Sequence, residues 1–277
     1  MTDLKIGFIG GGSMASSIIG GLIADGVKPQ NICVTDINES SLNSLSAHFG
    51  VNTSNEGAEV VRFSQVLVLA VKPQQLADVV QGLAPQIQEK KPLLMSVAAG
   101  IRTDVLELWA GGDVPVVRAM PNTPALVRSG ATALFANAQV DEAARSYAEN
   151  VIRAVGLCIW LENEDQMDAV TALSGSGPAY FFFLMEYMQA AAQELGLPAD
   201  TARMLTLETA LGAAKLAIEL GKDVAELRQM VTSPGGTTER AISTMQGAGV
   251  DKAIVEALKN AAQRSQELAQ EFGTQKT

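Results

Sequence analysis

The chain has 277 residues and a formal net charge of −10, with 47% hydrophobic and 18% charged residues, enough to bury one large core or two smaller ones. The acidic balance excludes a nucleic-acid binder, which needs basic clusters to neutralise phosphates. The apolar runs are strand-length or carry polar helical faces, which excludes a membrane span.

The N-terminal stretch MTDLKIGFIGGG enters a strand directly, with neither a signal h-region nor an Arg-rich transit pattern, so a cytoplasmic protein is expected. Cys33 and Cys158 are lone thiols inside apolar runs without CxxC spacing; they read as small buried hydrophobes, and no metal is expected.

Up to about residue 160, short β-rich runs alternate with helical segments, the pattern of a parallel sheet with crossover helices. Strands are expected at 4–9, 31–36, 65–71, 93–98, 114–120, 131–136 and 157–161, with helices starting near Ser13, Glu39, Gln74, Thr103 and Asp141. From about Asp165 the strand signal disappears. Helical stretches follow at 165–173, 176–195, 199–220, 223–230, 235–246 and 250–272. The fold class is therefore α/β, a doubly wound sheet followed by an all-α domain, divided into residues 1–162 and 163–277.

FFFLMEYMQAAAQELG (181–196) and LTLETALGAAKLAIELG (205–221) are apolar around much of their circumference. About 115 residues cannot cover all those faces by themselves, so a homodimer through the helical domain is expected.

In GFIGGGSMA, Gly10, Gly12 and Ala15 stand in G-x-G-x-x-A spacing between the first strand and a helix. The first glycine permits a tight turn, the second lets a pyrophosphate approach the backbone, and the alanine allows close packing of helix on strand. The helix start at Ser13 and Met14 then offers open N–H groups to the phosphates. Asp36 closes the second strand, where an acid accepts from the adenine-side ribose and repels a 2′-phosphate, which favours NADH. A capping or turn role for Asp36 or Asn38 is the alternative.

Three more strand ends belong on the same edge. LAVKP brings Ala70, Val71, Lys72 and Pro73 to the cofactor, and SVAAGI brings Ala98, Ala99 and Gly100. In RAMPNTPALV, Pro121 and Pro124 bracket Asn122 and Thr123 in a stiff loop beside the nicotinamide. SGSGPAY offers Ser176, Gly177 and Pro178 either to the nicotinamide or merely as a helix break with a serine cap.

Hydride transfer to a carbonyl needs an acid for the developing alkoxide. His48, the only histidine, lies at the end of the second helix, far in sequence from every strand-end loop. Lys215 in LGAAKLAIE sits where two-domain hydroxyacid dehydrogenases carry a catalytic lysine, or is an ordinary packed helix lysine. An imine asks less, because a protonated C=N already carries the charge that draws the hydride. A nucleotide-sensing protein without catalysis is the reading from another class; cofactor binding without turnover would mark it.

GFIGGGSMA, LAVKPQ, SVAAGI, RAMPNTPALV, ALSGSGPAYFF and VTSPGGTTERAI, in this order, resemble the Δ1-pyrroline-5-carboxylate reductase family over essentially the whole chain. The resemblance implies a Rossmann-type domain, a helical dimerisation domain, and reduction of the cyclic imine to L-proline by NADPH or NADH, the last step of proline biosynthesis. It implies that dimers assemble further in some members, into rings of five, a decamer. It assigns the turn formed by Pro234, Gly235 and Gly236, with Ser233, Thr237 and Thr238, to the substrate carboxylate, and places the Thr238 hydroxyl near the ring nitrogen as the catalytic contact. Asn55 matches a position that members use on the adenosine ribose or its phosphate. Asp36 departs from the small or phosphate-tolerant residues frequent in the family, and that departure weighs against an NADPH preference.

Overall fold

The computed structural model describes residues 3–273. Eight strands form one sheet in the order β3-β2-β1-β4-β5-β6-β7-β8: β1 Ile6–Ile9, β2 Ile32–Thr35, β3 Asn52–Thr53, β4 Val66–Leu69, β5 Leu93–Ser96, β6 Val116–Met120, β7 Gly130–Ala136 and β8 Gly156–Trp160. All neighbouring pairs are parallel except β6 with β7. That exception follows from the connection: the chain passes from β6 to β7 through only a 3-10 turn, Thr123–Val127, and a link without a crossover helix must reverse direction.

Helices α1 Ser13–Ala24, α2 Glu39–Phe49, α3 Gly57–Phe63, α4 Pro73–Lys90, α5 Thr103–Trp109 and α6 Glu142–Arg153 cover the sheet. Strand alternation divides the apolar side chains between two cores. Ile6, Phe8, Val66 and Val68 pack with Ile18, Ile19 and Leu22 of α1 and Ile152 of α6 on one face. Ile9, Leu67 and Leu69 pack with Val60, Leu76, Val80 and Trp109 of α3 to α5 on the other. The two-residue β3 and the helix α3 are additions to the sequence reading; VNT is too short and polar to announce a strand, and GAEVVRF is only two turns long.

The rest is helical: α7 Met167–Val170, which runs into a π turn at Thr171–Gly175, then α8 Gly177–Glu194, α9 Ala199–Leu220, α10 Val224–Met230, α11 Thr237–Gly247 and α12 Val250–Gly273. The compact units divide between Ser176 and Gly177, later than the expected boundary at residue 162, and the chain from Ala261 onward belongs to the first unit. The segment after β8 thus stays with the sheet: Ser265 Oγ donates to Asp168 Oδ1 at 2.7 Å, and Phe272 is part of the sheet's core. The outer limits of the expected domains, residues 1 and 277, lie outside the described residues.

In the second unit, α8 buries only Gly177 and α9 only Ala202 and Thr206. Phe182 is 63% exposed and Ile218 82%. A soluble monomer rarely leaves so continuous an apolar surface open. Among the described residues, no helix is long and apolar enough to cross a membrane.

Cys33 is buried and Cys158 half-buried, both unpaired. Burial first, then the nearby Glu59 charge, raises the Cys33 thiol pKa. Burial followed by Glu149 pushes Cys158 up to about 11. Neither is a thiolate at neutral pH, which leaves both as packing residues.

Candidate active site

Where β1 ends, the strand order reverses between β2 and β4, and the glycine loop stands at that switch point. Gly10 has φ +99°, and a Cβ there would lie 2.6 Å from the Ala70 carbonyl oxygen. Only glycine fits this turn, because the loop is pressed between β1 and the end of β4. Gly10 N–H donates to Thr35 O at 2.8 Å, and Ala70 N–H donates to Ile9 O at 2.8 Å.

Gly12 differs. It is the N-cap of α1 in extended geometry, and a Cβ added there would meet nothing within 4 Å. The helix has no side-chain cap and no acid in its first turn; its first inward bond runs from Ser16 N–H to Gly12 O. The N–H groups of Ser13, Met14 and Ala15 are therefore open at the positive end of the helix dipole, above free space. These residues fit a dinucleotide pyrophosphate. Ala15 is fully buried against the core, as the fingerprint requires.

Asp36 follows β2 directly and is tied to the loop: its Oδ2 accepts from Gly11 N–H at 2.6 Å and its Oδ1 from Asn38 N–H at 2.8 Å. Asn38 caps α2 by accepting from Ser40 N–H at 3.0 Å. The capping role thus falls to Asn38, while Asp36 holds the glycine loop. The sequence reading missed Gly11. Its N–H fixes the acid, and a Cβ there would come 2.9 Å from Leu45 Cδ1; three consecutive glycines were the available signal.

Ser54 N–H donates to Val34 O at 3.0 Å, which brings β3 alongside β2 and leaves Asn55 exposed just beyond. Ala70 and Val71 are half-buried at the end of β4. Exposed Lys72 is the N-cap of α4, with Pro73 at its first position. Ala98 is buried, and Ala98 N–H donates to Ser96 Oγ at 3.3 Å; Gly100 has φ +77°. The sheet therefore brings the ends of β1, β2, β4 and β5 to one edge.

Asn122 has a defined task. Its Nδ2 donates to Ser174 O and Oγ at 3.2 and 3.3 Å, and its Oδ1 accepts from Ala131 N–H at 2.9 Å. Ser174 Oγ in turn donates to Ala131 O at 3.1 Å. The side chain thus locks the Pro121 loop to β7 and to the π turn before Ser176, a use the sequence did not disclose. Gly177 is buried at the start of α8, with Pro178 beside it half-buried.

In the second unit, the turn before α11 repeats the design of the first loop. Gly235 has φ +73°, Gly236 is an extended N-cap without a side-chain cap, and Gly236 N–H donates to Ser233 O at 3.0 Å. Glu239 Oε2 accepts from Gly235 N–H at 2.7 Å. With those two N–H groups engaged inside the turn, the open donors are the N–H groups of Thr237 and Thr238 and the hydroxyls of Ser233, Thr237 and Thr238. These open donors fit an anion without a cation in the turn. The sequence reading missed Glu239, whose carboxylate reaches back past the glycine N-cap to the residue before it.

The other titratable candidates are ordinary. His48 is exposed in the last turn of α2, edge-on to Phe49 at 4.5 Å. Lys215 is exposed on α9 with its ammonium 3.7 Å from Glu219, an i,i+4 surface pair.

Comparison with known proteins bears on the whole chain. A reductase of Pseudomonas aeruginosa named pyrroline-5-carboxylate reductase is 48% identical over 99% of this chain and 100% of its own length. The chain belongs to the pyrroline-5-carboxylate reductase family. A Bacillus subtilis member is 37% identical over 97% of this chain and 90% of its own. The solved Coxiella burnetii reductase superposes with a TM-score of 0.91 at 46% identity, covering 96% of this chain and 99% of that one. The Plasmodium falciparum enzyme, solved with NADP bound, gives 0.87 at 27% identity over 97% and 99%.

Residues 164–268 match the model for pyrroline-5-carboxylate reductase dimerisation, and residues 5–100 the model for NADP oxidoreductase coenzyme F420-dependent. The reductase is an NAD(P)H-dependent oxidoreductase, and the glycine loop at the β1 end lies inside the second of these matches. The family sets aside the hydroxyacid dehydrogenase reading that rested on Lys215.

Proposed function

We infer that two glycine-rich helix starts divide one reaction between them, the α1 end holding the cofactor and the α11 end holding the substrate. The reaction is the reduction of Δ1-pyrroline-5-carboxylate to L-proline by NAD(P)H. The observation that carries the division of labour is that both helices begin at an uncapped, extended glycine with a glycine of positive φ close before it, two residues earlier at α1 and one at α11.

At α1, the N–H groups of Ser13 and Met14 hold the pyrophosphate across Gly10 and Gly12. Asp36 and Asn55 serve the adenosine ribose. Ala70, Val71, Lys72 and Pro73, then Ala98, Ala99 and Gly100, line the way to the nicotinamide, with Asn122, Ser176, Gly177 and Pro178 at that end. When bound, the reduced nicotinamide supplies a hydride.

At α11, the N–H groups of Thr237 and Thr238 and the Ser233 hydroxyl bind the substrate carboxylate, while Gly235 and Gly236 shape the turn. The carboxylate is fixed by the helix dipole and hydrogen bonds alone, so no lysine or arginine competes with the cationic iminium. The Thr238 hydroxyl lies by the ring nitrogen, which keeps the electron pair when hydride adds to the neighbouring carbon. An iminium needs no protein acid for this step.

The uncovered faces of α8 and α9 fit a second copy of the chain, in keeping with the dimerisation model matched over residues 164–268. We propose a homodimer through this unit, with dimers stacking into a decamer. Two unpaired cysteines suit a reducing compartment, the cytoplasm.

The test is the initial rate of NADH and of NADPH oxidation with Δ1-pyrroline-5-carboxylate at neutral pH. Turnover with proline as product is expected. Cofactor binding without turnover would instead make the chain a nucleotide sensor.

A further inference from the structure

The 97–102 loop carries Ala98, Ala99 and Gly100, and the first unit holds it from beyond both ends. Helix α5 begins directly after it, yet its N-cap is Arg102, which supplies no side-chain cap. The missing acceptor comes from 61 residues away. Glu164 Oε1 accepts from Thr103 N–H at 2.9 Å and Oε2 from the Thr103 hydroxyl at 2.8 Å.

Glu164 is only 5% exposed, and its charge is balanced by Arg118 of β6, which is 3% exposed and donates from Nη1 to Oε1 at 3.1 Å. The other terminal nitrogen of Arg118 has no partner among the described residues, so of the two terminal nitrogens only the one facing Glu164 is bonded. Arg102 adds an outer contact, 3.8 Å from Oε2, while pairing with Asp165 at 2.8 Å. Upstream, Val97 N–H donates to Leu69 O at 3.2 Å. On Gly100 itself sits Phe272, whose ring would lie 3.3 Å from an added Cβ.

A buried carboxylate with three charge-assisted or buried hydrogen bonds is costly unless every bond is made. Here two of the three fall on Thr103, the first residue after the loop, and the third comes from Arg118. We propose that Glu164 is a positioning residue for cofactor binding: through Thr103 it fixes where the 97–102 loop ends, and Arg118 holds Glu164 in place. The proposal rests on the reading that this loop contacts the cofactor.

The experiment measures the NADPH dissociation constant, the melting temperature and backbone hydrogen exchange for wild type, Glu164→Ala, Glu164→Gln and Thr103→Val. In wild type, NADPH should slow exchange at residues 98–103; no protection there would show that the loop reading itself has failed, and the proposal with it.

Given protection, Glu164→Ala should weaken NADPH binding about tenfold, the usual scale for losing support behind a binding group. Glu164→Gln keeps an oxygen for Thr103 N–H but strands the Arg118 charge. It should therefore lose melting temperature while binding NADPH within about threefold of wild type. A purely structural Glu164 predicts a lowered melting temperature with unchanged affinity in the Ala variant, and that result overturns the proposal. Equal loss of affinity in Gln and Ala overturns the route through Thr103. If Glu164→Ala does not fold, Thr103→Val decides: a rise of about threefold in the dissociation constant supports the proposal, and none refutes it.

Discussion

The two glycine-rich helix starts share a backbone plan and differ in what holds them. At the first, Gly10 is wedged against the Ala70 carbonyl, Gly11 is bonded to Asp36, and α1 behind them packs into the core. At the second, a Cβ on Gly235 would meet nothing within 4 Å, and the turn is kept by its own bonds, Gly236 to Ser233 and Gly235 to Glu239. One loop is shaped by the sheet around it, the other by local hydrogen bonds. An anion site built into a core is rigid before its ligand arrives; one built from local bonds is held far more loosely.

The largest break in this comparison is Gly10→Ala. At φ +99° with a carbonyl oxygen 2.6 Å from the new Cβ, strain and overpacking should cost about 3 kcal/mol of stability, read as a drop in the urea midpoint. Gly235→Ala has the strain without the clash and should cost about 1 kcal/mol. Equal losses at the two positions would mean that the sheet does not shape the first loop. Gly12→Ala completes the contrast: the space around it is open, so stability should change by less than about 1 kcal/mol while cofactor affinity falls about tenfold as the methyl meets the pyrophosphate.

Next in size is Thr238→Ala, which removes a hydroxyl that the substrate reading uses. The KM for Δ1-pyrroline-5-carboxylate should rise and kcat fall, reducing kcat/KM by about tenfold to a hundredfold, the worth of a hydrogen bond to a charged group. Cofactor affinity should stay at the wild-type value in a fluorescence titration. An unchanged kcat/KM would remove Thr238 from the site.

How much of this was legible in the sequence depends on whether a residue acts locally or through the fold. The G-x-G-x-x-A spacing, the strand ends and the helical second half are local patterns, and the elements fall within a residue or two of their expected places. Glu164 was not legible. In ENED it is one acid among three, and only the packing of a 3-10 turn against Thr103 and Arg118 buries it. Asn122 was legible only as part of the loop that follows β6; its bonds to Ala131 and Ser174 join segments 9 and 52 positions away in the chain. The antiparallel β7 was hidden for the opposite reason, since the link that forces the reversal is local and the strand patterns on either side of it look the same in either direction.

A smaller effect sharpens the first loop. Asp36→Asn keeps an oxygen for Gly11 N–H but removes the charge that opposes a 2′-phosphate. The ratio of kcat/KM for NADPH over NADH should rise about fivefold, the scale of one charge pair at a partly solvated site. If the ratio stays put while both values fall together, Asp36 serves the loop and not the choice of cofactor.

The smallest effect tests the second loop, and its sign is the informative part. Glu239 stabilises the turn through Gly235 N–H, yet it also places a negative charge in the first turn of α11, next to the donors assigned to the substrate carboxylate. Glu239→Gln retains an acceptor for Gly235 and removes the like charge, so the KM for Δ1-pyrroline-5-carboxylate should fall about twofold to threefold, a modest effect because the site is exposed and screened. Added salt should narrow the gap between variant and wild type. A KM that rises would show that the charged form of the bond to Gly235 matters more than the repulsion, and that the turn depends on Glu239 as the first loop depends on its sheet.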